Sequence, residues 1–206
     1  MTPIERSPER DAAIRAALPI AAAEGWTEAS LRAAVAATGG DPALAPSLFP
    51  RGPVGAIEAW SDLADREMEA AAAEDPAFPG LRSAGRIRRL VELRLSAAGP
   101  HKAALRRALA LLALPWNAPV SLRCTARTVD AMWHAAGDRS ADFAWYTKRA
   151  SLAAVYAATL AFWMRDEDPD CTAALAFLDR RLADLAALGR LRRKVATPSW
   201  DRTATG

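Results

Sequence analysis

Proline and glycine cut this chain into stretches of helical period. No stretch between them alternates apolar and polar residues with β-branched enrichment. A strand needs that period of two, whereas an amphipathic helix repeats its apolar residues every three or four. The fold is therefore expected to be all-α, with about nine helices. The first runs from about Glu9 to Glu24 and stops at Gly25. Thr27, whose hydroxyl can accept a free first-turn N–H, caps the second, Glu28 to about Thr38. A short third helix follows Asp41-Pro42, where proline at the first helical position loses nothing by lacking an N–H. The fourth is long, about Pro53 to Glu74. The fifth covers Ser83 to Ala98, with Ile87, Leu90, Val91 and Leu95 on one stripe. After the Gly99-Pro100 break the sixth runs from His101 to Leu114, and the seventh from about Ala118 to Ala136. Asp142 is the expected cap of the eighth, which reaches Met164. The ninth spans about Asp170 to Leu188, with Gly189 as its expected stop.

Short helices first and long ones later predict a layout. Residues 1–50 form a three-helix, helix-turn-helix-like part, and residues 51–189 form a larger bundle. Residues 190–206 are basic and then polar, and are expected to be a flexible tail. This is the layout of a TetR-like fold, an analogy that by itself licenses no function. A reading helix must offer Arg, Lys, Asn or Gln to bases and phosphates. The candidate segment here, Asp41 to Leu48, contains one acid, two prolines and no base. From Thr27 to Trp60 the charges are Glu28, Arg32, Asp41, Arg51 and Glu58, one negative charge in excess. Phosphate neutralisation supplies most non-specific DNA affinity, so the helix-turn-helix is expected to be degenerate and not to bind nucleic acid.

Composition excludes further classes. With 206 residues, 51% of them hydrophobic, the chain can bury one real core. The net charge of +3 is too small to announce a nucleic-acid binder. Arginine far outnumbers lysine, which points to a GC-rich bacterial genome more than to any chemistry. Cys124 and Cys171 fit no CxxC spacing, against a disulfide scaffold or zinc cluster. The first residues lack the apolar run of a signal peptide, and Glu5, Glu9 and Asp11 argue against a transit peptide. No run of 18 apolar residues suits a membrane span. A cytoplasmic protein is expected, with peripheral contact at the inner face of the membrane as an added expectation.

There is no HExxH, no ExxH pair, no GxSxG elbow, no Walker loop and no GxGxxG. His101 and His134 lack a nucleophile or second ligand at helical spacing, and a lone histidine is a weak catalytic signal. Asp166, Glu167 and Asp168 read as an acidic turn rather than a cation site. No enzyme, cofactor or metal is expected. Arg82, Arg86, Arg88, Arg89, Arg94, Arg106 and Arg107 read as solvated helix faces, or as a surface for anionic lipid or an acidic partner. Arg190, Arg192, Arg193 and Lys194 form a second basic cluster.

Two segments stand out. Phe143, Trp145 and Tyr146 crowd the start of the eighth helix. Consecutive residues are about 100° apart on a helix, so the three cannot share one buried stripe. One of them at least is expected on a partner-binding patch. Further along, Trp145, Leu152, Tyr156 and Trp163 fall on one side, with Ala150, Ala153, Ala157 and Ala161 beside them. Large residues beside small ones mean close packing or a cavity for an apolar ligand. Leu152, Tyr156, Leu160 and Trp163 are the expected lipid contacts. Leu175, Leu178, Leu182, Leu185 and Ala186 repeat at near-heptad spacing, as for packing against a second copy.

The stretch LPWNAPVSL…VDAMWHAAGDRSADFAWYTKRASLAAVY, Leu114 to Tyr156, resembles the Coq-nine family of ubiquinone-biosynthesis proteins. The Gly25–Thr27 pattern, the Leu48-Phe49 turn and FLDRRLADLAALG, Phe177 to Gly189, fit as well. The resemblance implies a TetR-like fold without DNA binding, a homodimer, and binding of isoprenoid quinone intermediates. It also implies service to the di-iron hydroxylase acting on demethoxyubiquinone. By position, it places the hydroxylase contact at Met132, Trp133, Asp142, Trp145, Tyr146 and Arg149. Mitochondrial relatives continue into an amphipathic membrane helix. Arg190 to Gly206 contains Pro198 and no sustained apolar stripe, so that device is not expected in this stretch. The competing expectation, from the fold alone, is a ligand-responsive TetR-like regulator.

Overall fold

Side-chain caps set the first two helix starts. A computed structural model describes the backbone of residues 5–138 and 143–196, and the side chains of 5–138 and 146–187. Helix α1 (Pro8–Glu24) begins where the Ser7 hydroxyl accepts the Arg10 N–H. Thr27 and Ser30 form a reciprocal capping box at the start of α2 (Glu28–Ala37). Gly25, at φ 92°, carries the chain out of α1 in a conformation that glycine tolerates best. Arg107 donates to the Ala22 and Ala23 carbonyls there, satisfying groups that the helix end leaves open.

After a 3-10 turn (Pro42–Leu44), α3 is a single turn, Ala45–Leu48. The expected reading helix is thus four residues long and has no base. The other helices are α4 (Gly52–Glu74), α5 (Ser83–Ala98), α6 (Lys102–Leu112), α7 (Ala118–Ala135), α8 (Phe143–Trp163) and α9 (Thr172–Ala196). There is no strand among the described residues. No helix among them is long and apolar enough to cross a membrane.

Helix α9 corrects one expectation. It runs through Gly189 to Ala196 instead of stopping. A glycine inside a helix costs only about 1 kcal/mol, which a long helix absorbs. Residues 190–196, expected in the tail, therefore continue α9, while 197–206 lie outside the described residues.

Two apolar cores share α4. The first joins Ile14, Leu18, Leu31, Val35, Phe49 and Ile57 with Ala104, Ala108 and Leu112 of α6. The Trp26 indole N–H donates to the Ala104 carbonyl at 3.0 Å, and its ring stacks on Trp60 at 5.6 Å. Residues 1–50 thus share their core with the larger bundle. The second core joins Met68, Ile87, Leu90, Val91, Leu95, Val129, Met132, Leu152, Trp163 and Leu178. Leu175 and Leu178 are buried there, and Leu182 and Leu185 pack against it, so the α9 leucine stripe serves the chain's own core. What α8 turns outward is mostly alanine, Ala150, Ala154, Ala157, Ala158 and Ala161, whereas α9 mixes Ala173, Ala176, Ala183, Ala186 and Ala187 with the charges of Asp179, Arg180, Arg181 and Asp184. Phe162 and Phe177 stack at 5.1 Å at one end of this face.

Candidate ligand cavity and partner face

Between the two cores α4 turns three acids inward, Glu58, Asp62 and Asp65, each under 5% exposed. Their spacing of four and then three residues places them on one helix face. Arg123 and Arg127 of α7, also one turn apart, answer them from the opposite side. Arg6 grips Asp62 with two hydrogen bonds of 2.9 and 2.7 Å, and Arg66 bridges Asp62 to Asp11. Burial pushes the Asp62 carboxyl up, but Arg6, Arg127 and Arg66 outweigh it and hold it below the usual aspartate range. At Asp65 burial prevails and the carboxyl is raised, although Arg94, Thr128 and Arg127 pull the other way.

A cavity of about 330 Å³ opens beside this seam. Leu18, Ile57, Trp60 and Leu63 form its wall on the first-core side, Leu105, Leu109 and Leu160 close other parts, and Tyr156 and Arg94 supply polar groups. The volume suits a small-molecule site, and the apolar wall is accompanied by further polar residues such as Glu67, His101, Ser121 and Thr128. A second, wider cleft lies under the Asp166–Pro169 turn, about 920 Å³, bordered by Lys102, Arg106, Arg165 and the acids of that turn. Those charges make it the poorer host for an apolar ligand. The acids themselves build the turn: Asp168 accepts the Asp170 and Thr172 N–H groups, starting α9.

The expected lipid residues divide. Tyr156 and Leu160 line the cavity. Leu152 and Trp163 do not line it; each is 1% exposed in the second core. The Trp163 indole N–H donates to Cys171 Sγ at 3.0 Å, and Lys102 Nζ lies 4.5 Å above the ring. Its neighbours are the α8–α9 turn and α6. The expected small-residue side also turns elsewhere: Ala157 and Ala161 face outward, and only Ala153 packs against the core. Helical spacing groups residues on a face but does not name the neighbour behind it.

The expected partner residues also divide. Met132 is fully buried, so it supports the α7–α8 region from beneath. Trp133 is half-buried with Lys148 Nζ 5.5 Å from its ring centre, and no acceptor among the described residues reaches its indole N–H. Arg149 bonds Asp130 at 2.7 Å and approaches Asp138 at 3.5 Å, tying α8 to the end of α7. Tyr146 is 68% exposed. Asp142 and the Trp145 side chain lie outside the described residues. The region therefore presents Tyr146 on a salt-bridged support.

Sequence reasoning missed the seam. Arg94 reads there as one of several solvated arginines, yet its side chain is only 11% exposed. Arg86, Arg89 and Arg107 are also occupied, by carbonyls of a turn, by Asp75 and by the end of α1. The available signal was the acid spacing on α4 facing an arginine spacing on α7. Cys124 and Cys171 are buried free thiols, as expected for small apolar residues.

The COQ9 family model matches residues 118–189, which hold α7, α8 and most of α9. The ubiquinone biosynthesis protein COQ9, mitochondrial, of Rattus norvegicus is 43% identical over 109 residues, 53% of this chain and 35% of that protein. The Homo sapiens protein of the same name is also 43% identical, over 53% of this chain and 34% of its own length. The Schizosaccharomyces pombe coq9 protein is 32% identical over 74% of this chain and 60% of its own. The chain thus spans about a third of the mammalian relatives it matches. Among solved structures, a TetR transcriptional regulator from Nitrosomonas europaea shares 28% identity and a TM-score of 0.70, over 87% of this chain and 99% of that one. The chain thus combines an all-α, TetR-like fold with a segment, residues 118–189, that is similar to the COQ9 family.

Proposed function

We propose that this protein is a non-enzymatic, lipid-binding accessory protein of ubiquinone biosynthesis. It holds an isoprenoid quinone intermediate in the cavity between the two cores and presents it to the demethoxyubiquinone hydroxylase. The observation that carries this reading is the cavity itself, a chamber whose apolar wall holds Trp60, Leu63, Leu105 and Leu160. The COQ9 relatives, named for ubiquinone biosynthesis, support the pathway. The exposed Tyr146 is the anchor offered to the hydroxylase, with Trp145 beside it in sequence. Tyrosine and tryptophan anchors dominate many interfaces. The alanine face of α8 lets a second copy approach closely, giving a homodimer. Light scattering is expected to find twice the chain mass; a monomer at micromolar concentration refutes that part.

The test of the main reading is organic extraction of the purified protein followed by mass spectrometry. Prenylated quinone intermediates are expected. A complete absence of extractable lipid from protein purified without detergent refutes it. The likeness to a TetR regulator favours a second reading, a ligand-responsive regulator. The four-residue α3 without a base speaks against it. Retardation of DNA at low salt by the purified chain would support that reading instead.

A further inference from the structure

The cavity has a polar feature that hydrocarbon binding does not use. Two arginines touch it. Arg15 is exposed, and Glu67 answers its charge at 2.7 Å. Arg94 is buried and loosely held. Its Nε approaches the Tyr156 hydroxyl at 3.4 Å, and its Nη2 approaches Ser61 at 3.4 Å, Thr128 at 3.5 Å and Asp65 at 3.2 Å. Charge-assisted hydrogen bonds normally close to about 2.7–2.9 Å. Its Nη1 is buried with no acceptor among the described residues. A buried donor without a partner is costly, and such groups ask for an explanation. Arg94, Tyr156, Ser61 and Thr128 all line one chamber, whose other walls are leucines, alanines and Trp60 with further polar residues such as Glu67, His101 and Thr125.

We propose that Arg94 and Tyr156 receive the oxygen-bearing head of an amphipathic ligand, so that a quinone enters head first. Its ring carbonyl oxygen accepts from the Arg94 guanidinium, and its tail leaves along the leucine wall. This rests on the lipid-binding reading and assigns the orientation within it. Asp65 already pairs with Arg94, so a neutral carbonyl fits better than a second anion beside the carboxylate. Size agrees with the orientation. A chamber of about 330 Å³ is of the size of a substituted ring and far smaller than a long prenyl chain. The rest of a long prenyl chain must lie outside the chamber, where it can meet a membrane or a partner.

Three probes test this with the intact protein by equilibrium dialysis: a dimethoxy-methyl-benzoquinone with a decyl tail, decylbenzene, and lauric acid. The wild-type protein is expected to bind the quinone at least tenfold more tightly than decylbenzene, with lauric acid weaker than the quinone. Arg94→Met is expected to erase the preference for the quinone while keeping decylbenzene binding. Tyr156→Phe is expected to reduce the preference a few-fold. Because Arg94→Met leaves Asp65 without its partner, the double variant Arg94→Met/Asp65→Asn provides a second protein for the same measurement. Equal binding of quinone and decylbenzene by the wild type, or an undiminished preference in a folded Arg94 variant, overturns the inference and leaves the lipid reading standing. Lauric acid bound more tightly than the quinone overturns the choice of a neutral head. Failure of the wild type to bind any of the three overturns the lipid reading itself.

Discussion

The two cores of this protein are built from similar apolar residues and share the acid–arginine seam between them, yet they are closed differently. The first is closed by local devices: the capping box at Thr27, the Trp26 bond to Ala104 and the Arg107 contacts to α1. It keeps the outline of a helix-turn-helix with α3 cut to one turn. The second core is bordered by the acid–arginine seam, the half-buried Trp133 and the exposed Tyr146. The COQ9 match begins at residue 118 and covers α7, α8 and most of α9, which pack into this second core. The difference teaches that the fold supplies the frame at one end and the recognisable chemistry at the other, with the cavity at their junction.

Substitutions in the second core test the boundary most severely. Trp163→Ala is expected to cost about 3–5 kcal/mol, as loss of a fully buried tryptophan does. Since α4 threads both cores, thermal unfolding followed by circular dichroism should remain a single transition at lower temperature. Two separated transitions would break the picture of one cooperative unit. A stable Trp163→Ala protein that merely lost its lipid would return Trp163 to the ligand site.

The seam comes next. Asp65→Ala leaves Arg94 buried without its carboxylate and is expected to cost about 3 kcal/mol, as removal of one partner of a buried pair does. The double change Asp65→Leu/Arg94→Leu is expected to cost less than the single one, measurable by urea unfolding. A double loss equal to the sum of the two single losses would show the pair to be energetically independent.

Acid should affect the seam in a defined direction. The native Asp62 carboxyl lies below its ordinary value, so its ion pairs stabilise the fold above the unfolded-state pKa. That contribution is lost as pH falls through the ordinary aspartate range and below. Asp62→Asn should flatten the acid side of a stability–pH curve. Asp65, raised by burial, has the opposite sign: its ionisation removes stability as pH rises through its raised pKa.

The smallest effect on stability is expected at the surface of the second core. Tyr146→Ala should change the unfolding free energy by less than about 1 kcal/mol, since the ring is 68% exposed. On the proposed function, its effect on hydroxylase capture should be far larger, about 30-fold in affinity for a 2 kcal/mol anchor. Normal capture by a folded Tyr146→Ala protein would remove this residue from the interface.

Much of the fold was legible because its signals are local. Ser7, Thr27 and the prolines mark starts within one turn of the residues they affect, and the α5 stripe of Ile87, Leu90, Val91 and Leu95 is buried as its spacing predicts. Gly189 misled because a helix breaker acts as a modest local penalty. The site was less legible because its parts meet only in three dimensions. The α9 leucines announced a buried face but not that the chain itself covers it. Leu152 and Trp163 share a side with Tyr156 in the sequence, yet Tyr156 reaches the cavity and they do not. Arg94 is indistinguishable in sequence from Arg88, which sits at the surface beside Asp179.

The placement of the ligand between the cores is open to one direct comparison. Ala64 lines the cavity, whereas Ala157 lies on the outward face of α8. Each is replaced by phenylalanine, and the lipid extracted per mole of folded protein is measured by mass spectrometry. The account predicts a loss of at least several-fold for Ala64→Phe and wild-type content for Ala157→Phe. Unchanged lipid in Ala64→Phe together with its loss from Ala157→Phe would contradict it, moving the ligand to the outer face of α8.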